Sequence, residues 1–201
     1  MIVVDIETTG LDPYKNSIVS IGALDFYNSK NQFYEECKIL DGAEVEPEAL
    51  KINGFTLEQI SDINKKSLKQ ILEEFLNWTE ETDNRVLGGH NLADFDVLFL
   101  LNSSKKYKLN WQFGRRCVDL HSVCYTHHLQ RNINPPIKDK KSNLNLDRIL
   151  EYVELPQEPR PHHALTGAKM EAEAFSRLIY GKSLFEEYSQ HKIPVYLKND
   201  N

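Results

Sequence analysis

The chain has 201 residues, of which 40% are hydrophobic and 27% charged, with a formal net charge of −6. That length suits one domain with a substantial core; no apolar run is long enough to span a membrane, and no basic segment leads into an apolar stretch as a secretory signal would. The acidic balance excludes wrapping of nucleic acid by bulk charge, but not an enzyme acting on nucleic acid, since bound cations reverse the field of an acidic site.

The elements are predicted in chain order as follows. Residues 2–6 read as a buried strand, Asp12 to Asn16 as a turn and Ile18 to Phe26 as a second strand. Asn28 to Asn31 reads as a hairpin turn and Gln32 to Ile39 as a third strand, which completes an antiparallel meander. Pro47 to Leu50 reads as a first helical turn, where proline is tolerated. Leu68, Ile71, Leu72, Phe75 and Leu76 recur at helical spacing and predict an amphipathic helix over roughly 67–80. Val86 to His90 reads as a short strand, Asp94 to Leu101 as the start of a helix, and Arg116 to Leu120 as a fifth strand running into a helix through His128. Residues 131–142, with Pro135-Pro136 and Lys138-Asp139-Lys140-Lys141, read as a mobile, solvated loop. Leu144 to Tyr152 follows as a short helix. A loop with Pro156, Pro159 and Pro161 then leads into a long helix from His162 to Tyr180, a short helix from Ser183 to Gln190 and a frayed end from Lys198 to Asn201. The pattern predicts an α/β domain with a mixed five-stranded sheet flanked by helices. Cys37, Cys117 and Cys124 have neither disulfide nor zinc spacing and read as free thiols in a reducing cytoplasm.

Three segments carry chemistry. In Asp5-Ile6-Glu7 the two carboxylates point to the same face of a strand. Like charges so close repel unless a cation lies between them, so the pair is a metal site or a solvated strand edge, and the apolar run Ile2-Val3-Val4 before it favours burial. The second segment is Gly89-His90-Asn91-Leu92-Ala93-Asp94-Phe95-Asp96, continuing through Phe99-Leu100. The third is His162-His163-Ala164-Leu165-Thr166-Gly167-Ala168. Each alone has a bland reading: a solvated strand, a helix with one solvated acid, a helix packing small residues on a sheet. Together and in this order they resemble the exonuclease motifs of the DEDDh branch of the DEDD 3′–5′ exonuclease superfamily, with the DNA polymerase III epsilon subunit and its relatives as the nearest group. The likeness covers about residues 1–180, including Thr8-Thr9-Gly10-Leu11-Asp12-Pro13 and Pro47 to Phe55.

The resemblance implies an RNase H-like exonuclease fold, with the domain over 1–185 and a C-terminal extension over 186–201. It implies phosphodiester hydrolysis at the 3′ end of single-stranded DNA or RNA with two Mg²⁺ or Mn²⁺ per site, ions that prefer carboxylate oxygen. Asp5 would bridge both metals, Glu7 support the nucleophile-side metal, Asp96 hold the second, and His162 take the proton from the attacking water. Ala164, two residues on, selects His162 over His163, which is left as a surface or capping residue. Thr8 and Leu11 either seat the terminal nucleotide or form a tight turn with a core leucine. Asn91, with His90, either lines the nucleotide groove or ties down the strand end, and Asp94 reads as a cap. Arg115, Arg116, Lys138, Lys140, Lys141 and above all Arg160 are the cations available to a strand.

One position breaks the pattern: the fourth acid of the family falls on Gly167. Glycine brings no ligand and costs roughly 1 kcal/mol in a helix relative to alanine. Three explanations are ordered: an engineered or accidental exchange, natural decay into a binding protein, and substitution by Glu171 one helical turn on. The first expectation is therefore an exonuclease weakened or inactivated at Gly167, with proofreading or repair as its setting and a polymerase or repair complex as partner. The alternative is an inert pseudo-exonuclease that binds nucleic-acid ends or docks on a polymerase.

Overall fold

The computed structural model describes residues 1–198. The expected frayed end at 199–201 lies outside them. Five strands form one sheet: β1 (Ile2–Thr8), β2 (Ile18–Asp25), β3 (Asn28–Glu36), β4 (Leu87–Gly89) and β5 (Val118–Asp119), in the order β3-β2-β1-β4-β5. β1, β2 and β3 are antiparallel neighbours, whereas β4 lies parallel to β1 and β5 parallel to β4. The mixed five-stranded α/β sheet expected from the pattern is present.

β1 is buried on both faces. Ile2, Val4 and Ile6 pack with α3 (Leu68–Glu80) and α4 (Asp96–Lys106) through Ile71, Leu72, Phe75, Phe99 and Leu100. Val3 points the other way, into a core formed with α5 (Leu120–Gln130), α6 (Leu146–Tyr152) and α7 (Ala164–Tyr180). Helices thus cover both faces, and the alternation of β1 assigns Asp5 and Glu7 to the α7 side. Two short helices, α1 (Pro47–Asn53) and α2 (Leu57–Ser61), lie between the meander and α3. No helix among the described residues is long and apolar enough to cross a membrane.

Several boundaries differ from expectation. The β2–β3 turn falls at Phe26-Tyr27, because the Asp25 side chain accepts the Tyr27 N–H at 3.0 Å and Asn28 already pairs with Asp25. The strand after it therefore starts at Asn28 and ends at Glu36 instead of Ile39. Within 131–142, β6 (Ile137–Lys138) and β7 (Lys141–Ser142) form a hairpin whose turn residues, Asp139 and Lys140, both have positive φ. That is the geometry of a two-residue hairpin turn, but lysine gives no warning of it. α2 was unforeseen although Thr56 and Gln59 form a capping box that the sequence spells out. Asp94 lies in a short 3₁₀ turn, Leu92–Asp94, and makes no cap bond; α4 starts only at Asp96 because Phe95 leaves the helical region. α6 begins at Leu146 and α7 at Ala164, each two residues later than expected. Between Ser183 and Gln190 the only helical piece is a 3₁₀ turn at Glu186–Tyr188.

The segment after Tyr180 is held by a buried ion pair. Arg177 Nε donates to Glu173 Oε1 at 2.7 Å, both side chains being fully buried. The guanidinium also donates to the carbonyls of Val153, Tyr188, His191 and Lys192. Glu173 accepts from the Leu184 and Phe185 amides and the Ser183 hydroxyl. Leu197 returns into the α7-side core.

The start of α7 is set by contact with the sheet. A Cβ on Gly22 of β2 would overlap the Leu165 amide nitrogen and the Ala164 carbonyl carbon, so the first helical turn lies directly on the strand. Gly22→Ala should destabilise the fold by at least ~1–3 kcal/mol, the usual cost of overpacking, because backbone on both sides must move. Urea unfolding of the two proteins measures it; equal midpoints would mean that the helix is not held there.

Candidate active site

The site forms where sheet polarity changes. β1 has an antiparallel neighbour, β2, along its length and a parallel one, β4, that pairs only with Ile2 and Val3, so the half of β1 that carries Asp5 and Glu7 extends past β4. Asp5 pairs with Gly22 across β1 and β2, so α7, seated on Gly22, begins over Asp5. Gly167 lies in the first turns of α7 with its backbone against Asp5. A Cβ there would overlap Asp5 Oδ2 and lie 3.3 Å from Glu158 Oε1.

The other groups arrive from separate elements. Asp96 opens α4, where the helix dipole favours negative charge. Its Oδ1 accepts the Ile6 amide at 3.1 Å, which ties α4 to β1 between Asp5 and Glu7. His162 precedes α7; its own N–H donates to the Ile52 carbonyl of α1 at 2.9 Å, which holds the loop in place. His162 Nδ1 lies 3.5 Å from Glu158 Oε2. Ligand atoms of Glu7, Glu158 and His162 all fall within 4.8 Å of one another. His163 takes the N-cap position of α7 without a side-chain cap bond and stacks on Tyr34, ring centroids 4.2 Å apart.

Asp5, Glu7, Asp96 and His162 therefore line one cavity of about 390 Å³, together with Glu158 and Glu171 and, at its rim, the exposed Glu46 and Glu48. Glu158 was not foreseen: it sits in the proline-marked loop, and its position four residues before His162 was the only hint. Leu11, Ile52, Phe95 and Leu146 add an apolar part to the wall. Leu11 is 74% exposed, which rules out the core-leucine alternative. Thr8 lines the cavity, but its hydroxyl donates to the Gly10 carbonyl at 2.7 Å, and its own carbonyl accepts from Asn53 Nδ2 at 3.0 Å. Asn91 and His90 also line it, Asn91 in the left-handed region at the end of β4. Arg160 is exposed on the loop before His162 and is not part of the wall.

Asp5, Glu7, Asp96, Glu158 and Glu171 are shifted the same way. Burial, then the charges of Glu171, Glu7, Asp96 and Glu158, hold the Asp5 carboxyl well above the usual range. Burial and Glu158 push Glu7 up to about 8. Burial takes Asp96 to about 8 against the pull of backbone hydrogen bonds, including that from Ile6. Burial raises Glu158 to about 7, and burial followed by the Asp96 charge raises Glu171 well above normal. His162 is shifted down by burial and by Arg160, so its imidazole is neutral near pH 7. Two carboxylate oxygens, Glu158 Oε1 and Glu171 Oε2, are buried without a hydrogen-bond partner. An all-oxygen acidic set with unsatisfied lone pairs fits a hard divalent cation.

The linkage has a definite sign. Acids whose folded pKa is raised bind more protons folded than unfolded, so their contribution is full below the ordinary carboxylate range and is lost as pH rises to about 8. In EDTA the melting temperature should fall from pH 5.5 to pH 8.5. With Mn²⁺ the ion-induced rise should grow over the same interval, because ligands must deprotonate to bind. A flat profile in EDTA would show that these acids titrate normally.

The exonuclease family described as RNase_T matches residues 2–175. The chain is 31% identical over 179 residues to a PolC-type DNA polymerase III of Thermotoga petrophila, covering 89% of this chain but only 12% of that polymerase. It is 28% identical over 196 residues to the DNA polymerase III subunit epsilon of Pasteurella multocida, covering 92% of this chain and 71% of the subunit. Among solved structures, E. coli Exonuclease I in complex with a dT13 oligonucleotide aligns with a TM-score of 0.70 at 17% identity, over 88% of this chain and 40% of that one. The nuclease domain of 3′hExo, a DEDDh family member bound to rAMP, aligns with a TM-score of 0.66 at 17% identity, over 96% of this chain and 94% of that one. With an RNase H-like fold, the motif acids and His162 around one cavity, and a family match over nearly its whole length, this chain belongs to the RNase_T exonuclease family.

Proposed function

We propose that this protein is a 3′–5′ exonuclease that removes nucleotides from the 3′ end of single-stranded DNA or RNA by metal-dependent hydrolysis. The observation that carries this reading is the convergence of Asp5, Glu7, Asp96 and His162 on one cavity with an apolar wall. In this reading Asp5, Glu7 and Asp96 hold two Mg²⁺ or Mn²⁺. When bound, such ions lower the pKa of a nucleophilic water and offset the charge developing on phosphate.

The chain's own residues have separate tasks. Glu158, facing Nδ1, orients the His162 ring and leaves Nε2 to accept the proton of the attacking water. Exposed Leu11, with Ile52 and Phe95, offers a face for the terminal base, which must be unpaired to enter. In this reading the Thr8 backbone and Asn91, which line the cavity, meet the terminal nucleotide, and the exposed Arg160, outside the wall, meets a phosphate further along the strand. The names of the relatives support a polymerase or repair complex as the setting. A second reading rests on Gly167: with no acid there, hydrolysis is weakened or lost, and the protein binds strand ends without cutting.

A 5′-labelled single-stranded oligonucleotide tests both. With Mg²⁺ or Mn²⁺ it should shorten stepwise from its 3′ end, and a blunt duplex should resist. Asp5→Asn should abolish cleavage, and His162→Ala should slow it by ~10²–10⁴-fold, the usual worth of a general base. Strand binding without shortening under either metal would favour the end-binding reading. Neither binding nor cleavage would sink both.

A further inference from the structure

Glu171 and Glu173 are two residues apart on α7 and both buried, yet their surroundings are opposite. Glu173 is matched by Arg177, two amides and a hydroxyl. Glu171 is 4% exposed, has no ion pair among the described residues, and leaves Oε2 without a hydrogen-bond partner. A buried carboxylate with no cation is costly, and the hydrogen bond it takes from the His90 backbone leaves its charge unmatched. Its carboxylate lines the same cavity as Asp5, Glu7 and Asp96, and among charged neighbours it is the one that acts most strongly on Asp5.

Helix geometry links this residue to the gap at 167. Residues four apart lie on one face, and side chains lean toward the helix N-terminus. Glu171 therefore leaves α7 on the face that carries Gly167, with one methylene more than aspartate, and its Oε2 lies at the end of β4, 3.2 Å from where a Cβ on Gly89 would be. Because 167 has no side chain, Asp5 Oδ2 occupies the place a Cβ would need. An acid at 167 and the present position of Asp5 exclude one another.

We infer that the fourth carboxylate of the metal site has moved one helical turn, from position 167 to Glu171, with Gly167 leaving the room that the present position of Asp5 needs. The inference rests on the hydrolase reading above, but it concerns metal affinity and is tested there. On it, Gly167 and Glu171 are a compensated pair and the site is complete.

The test is Mn²⁺ titration of the full chain, followed by electron paramagnetic resonance and calorimetry, with the metal-free melting temperature as the control for folding. Four proteins are compared: wild type, Glu171→Gln, Gly167→Asp, and the double variant Gly167→Asp/Glu171→Gln. Glu171→Gln should keep its metal-free melting temperature and lose affinity by more than ~10-fold, at least the cost of disturbing a metal site's surroundings. Gly167→Asp alone should gain no affinity, since it crowds a further acid against Asp5. The double variant, with the acid returned to 167, should bind more tightly than Glu171→Gln. Wild-type affinity in a folded Glu171→Gln overturns the inference, as does a gain of affinity in Gly167→Asp alone, or no Mn²⁺ binding by the wild type. Mn²⁺ binding that depends on Glu171 in a protein that cuts no strand supports the inference while removing the hydrolase reading.

Discussion

The contact of α7 with β2 at Gly22 governs the rest of the structure. Backbone meets backbone there because no side chain intervenes, and the strand residue paired with Gly22 is Asp5. One close approach therefore fixes where the helix begins, which of its residues face the carboxylates, and where His162 must sit in the loop before it. The opposite face of β1 is filled by large apolar side chains from α3 and α4. Only on the α7 side, lined near its start with Ala164, Gly167 and Ala168, is there room for acids and for whatever binds between them.

Those acids work against the fold that holds them. Five carboxylates are raised by burial, and Asp5, Glu7 and Glu171 also by their neighbours in the cavity, so the site favours protons over bare charge. The surroundings absorb the strain of that arrangement through fixed backbone: the Ile6 amide on Asp96, the Ile52 carbonyl on the His162 amide. Further along α7, the satisfied pair Glu173–Arg177 shows how the same helix treats an acid whose place is structural. The contrast with Glu171 separates an acid matched by a cation from one whose charge is unmatched among the described residues.

Much of the fold was legible from local pattern. The alternation around Asp5, the helical spacing of Leu68 to Leu76 and the order of the three motifs each rest on short-range periodicity, and the sheet and both helical layers followed from them. The misplaced boundaries share a cause: each is decided by a contact that propensity does not encode. The Asp25 side chain takes the Tyr27 amide and moves a turn; Asp139 and Lys140 accept positive φ and make a hairpin of a loop; Phe95 interrupts a helix that Asp94 was expected to cap.

The sequence by itself determined the family, the sheet and the identity of Asp5, Glu7, Asp96 and His162, because these depend on residue type and spacing along the chain. It also exposed Gly167 as the break in the pattern. Only the tertiary structure brought Glu158 out of a proline-marked loop to face His162, left Leu11 exposed at the cavity, and set the unpartnered Glu171 beside Asp5. The physical reason is that burial and the lack of a counter-charge belong to the space around a residue. That space is made by segments far apart in the chain, which no reading of neighbours along it can supply.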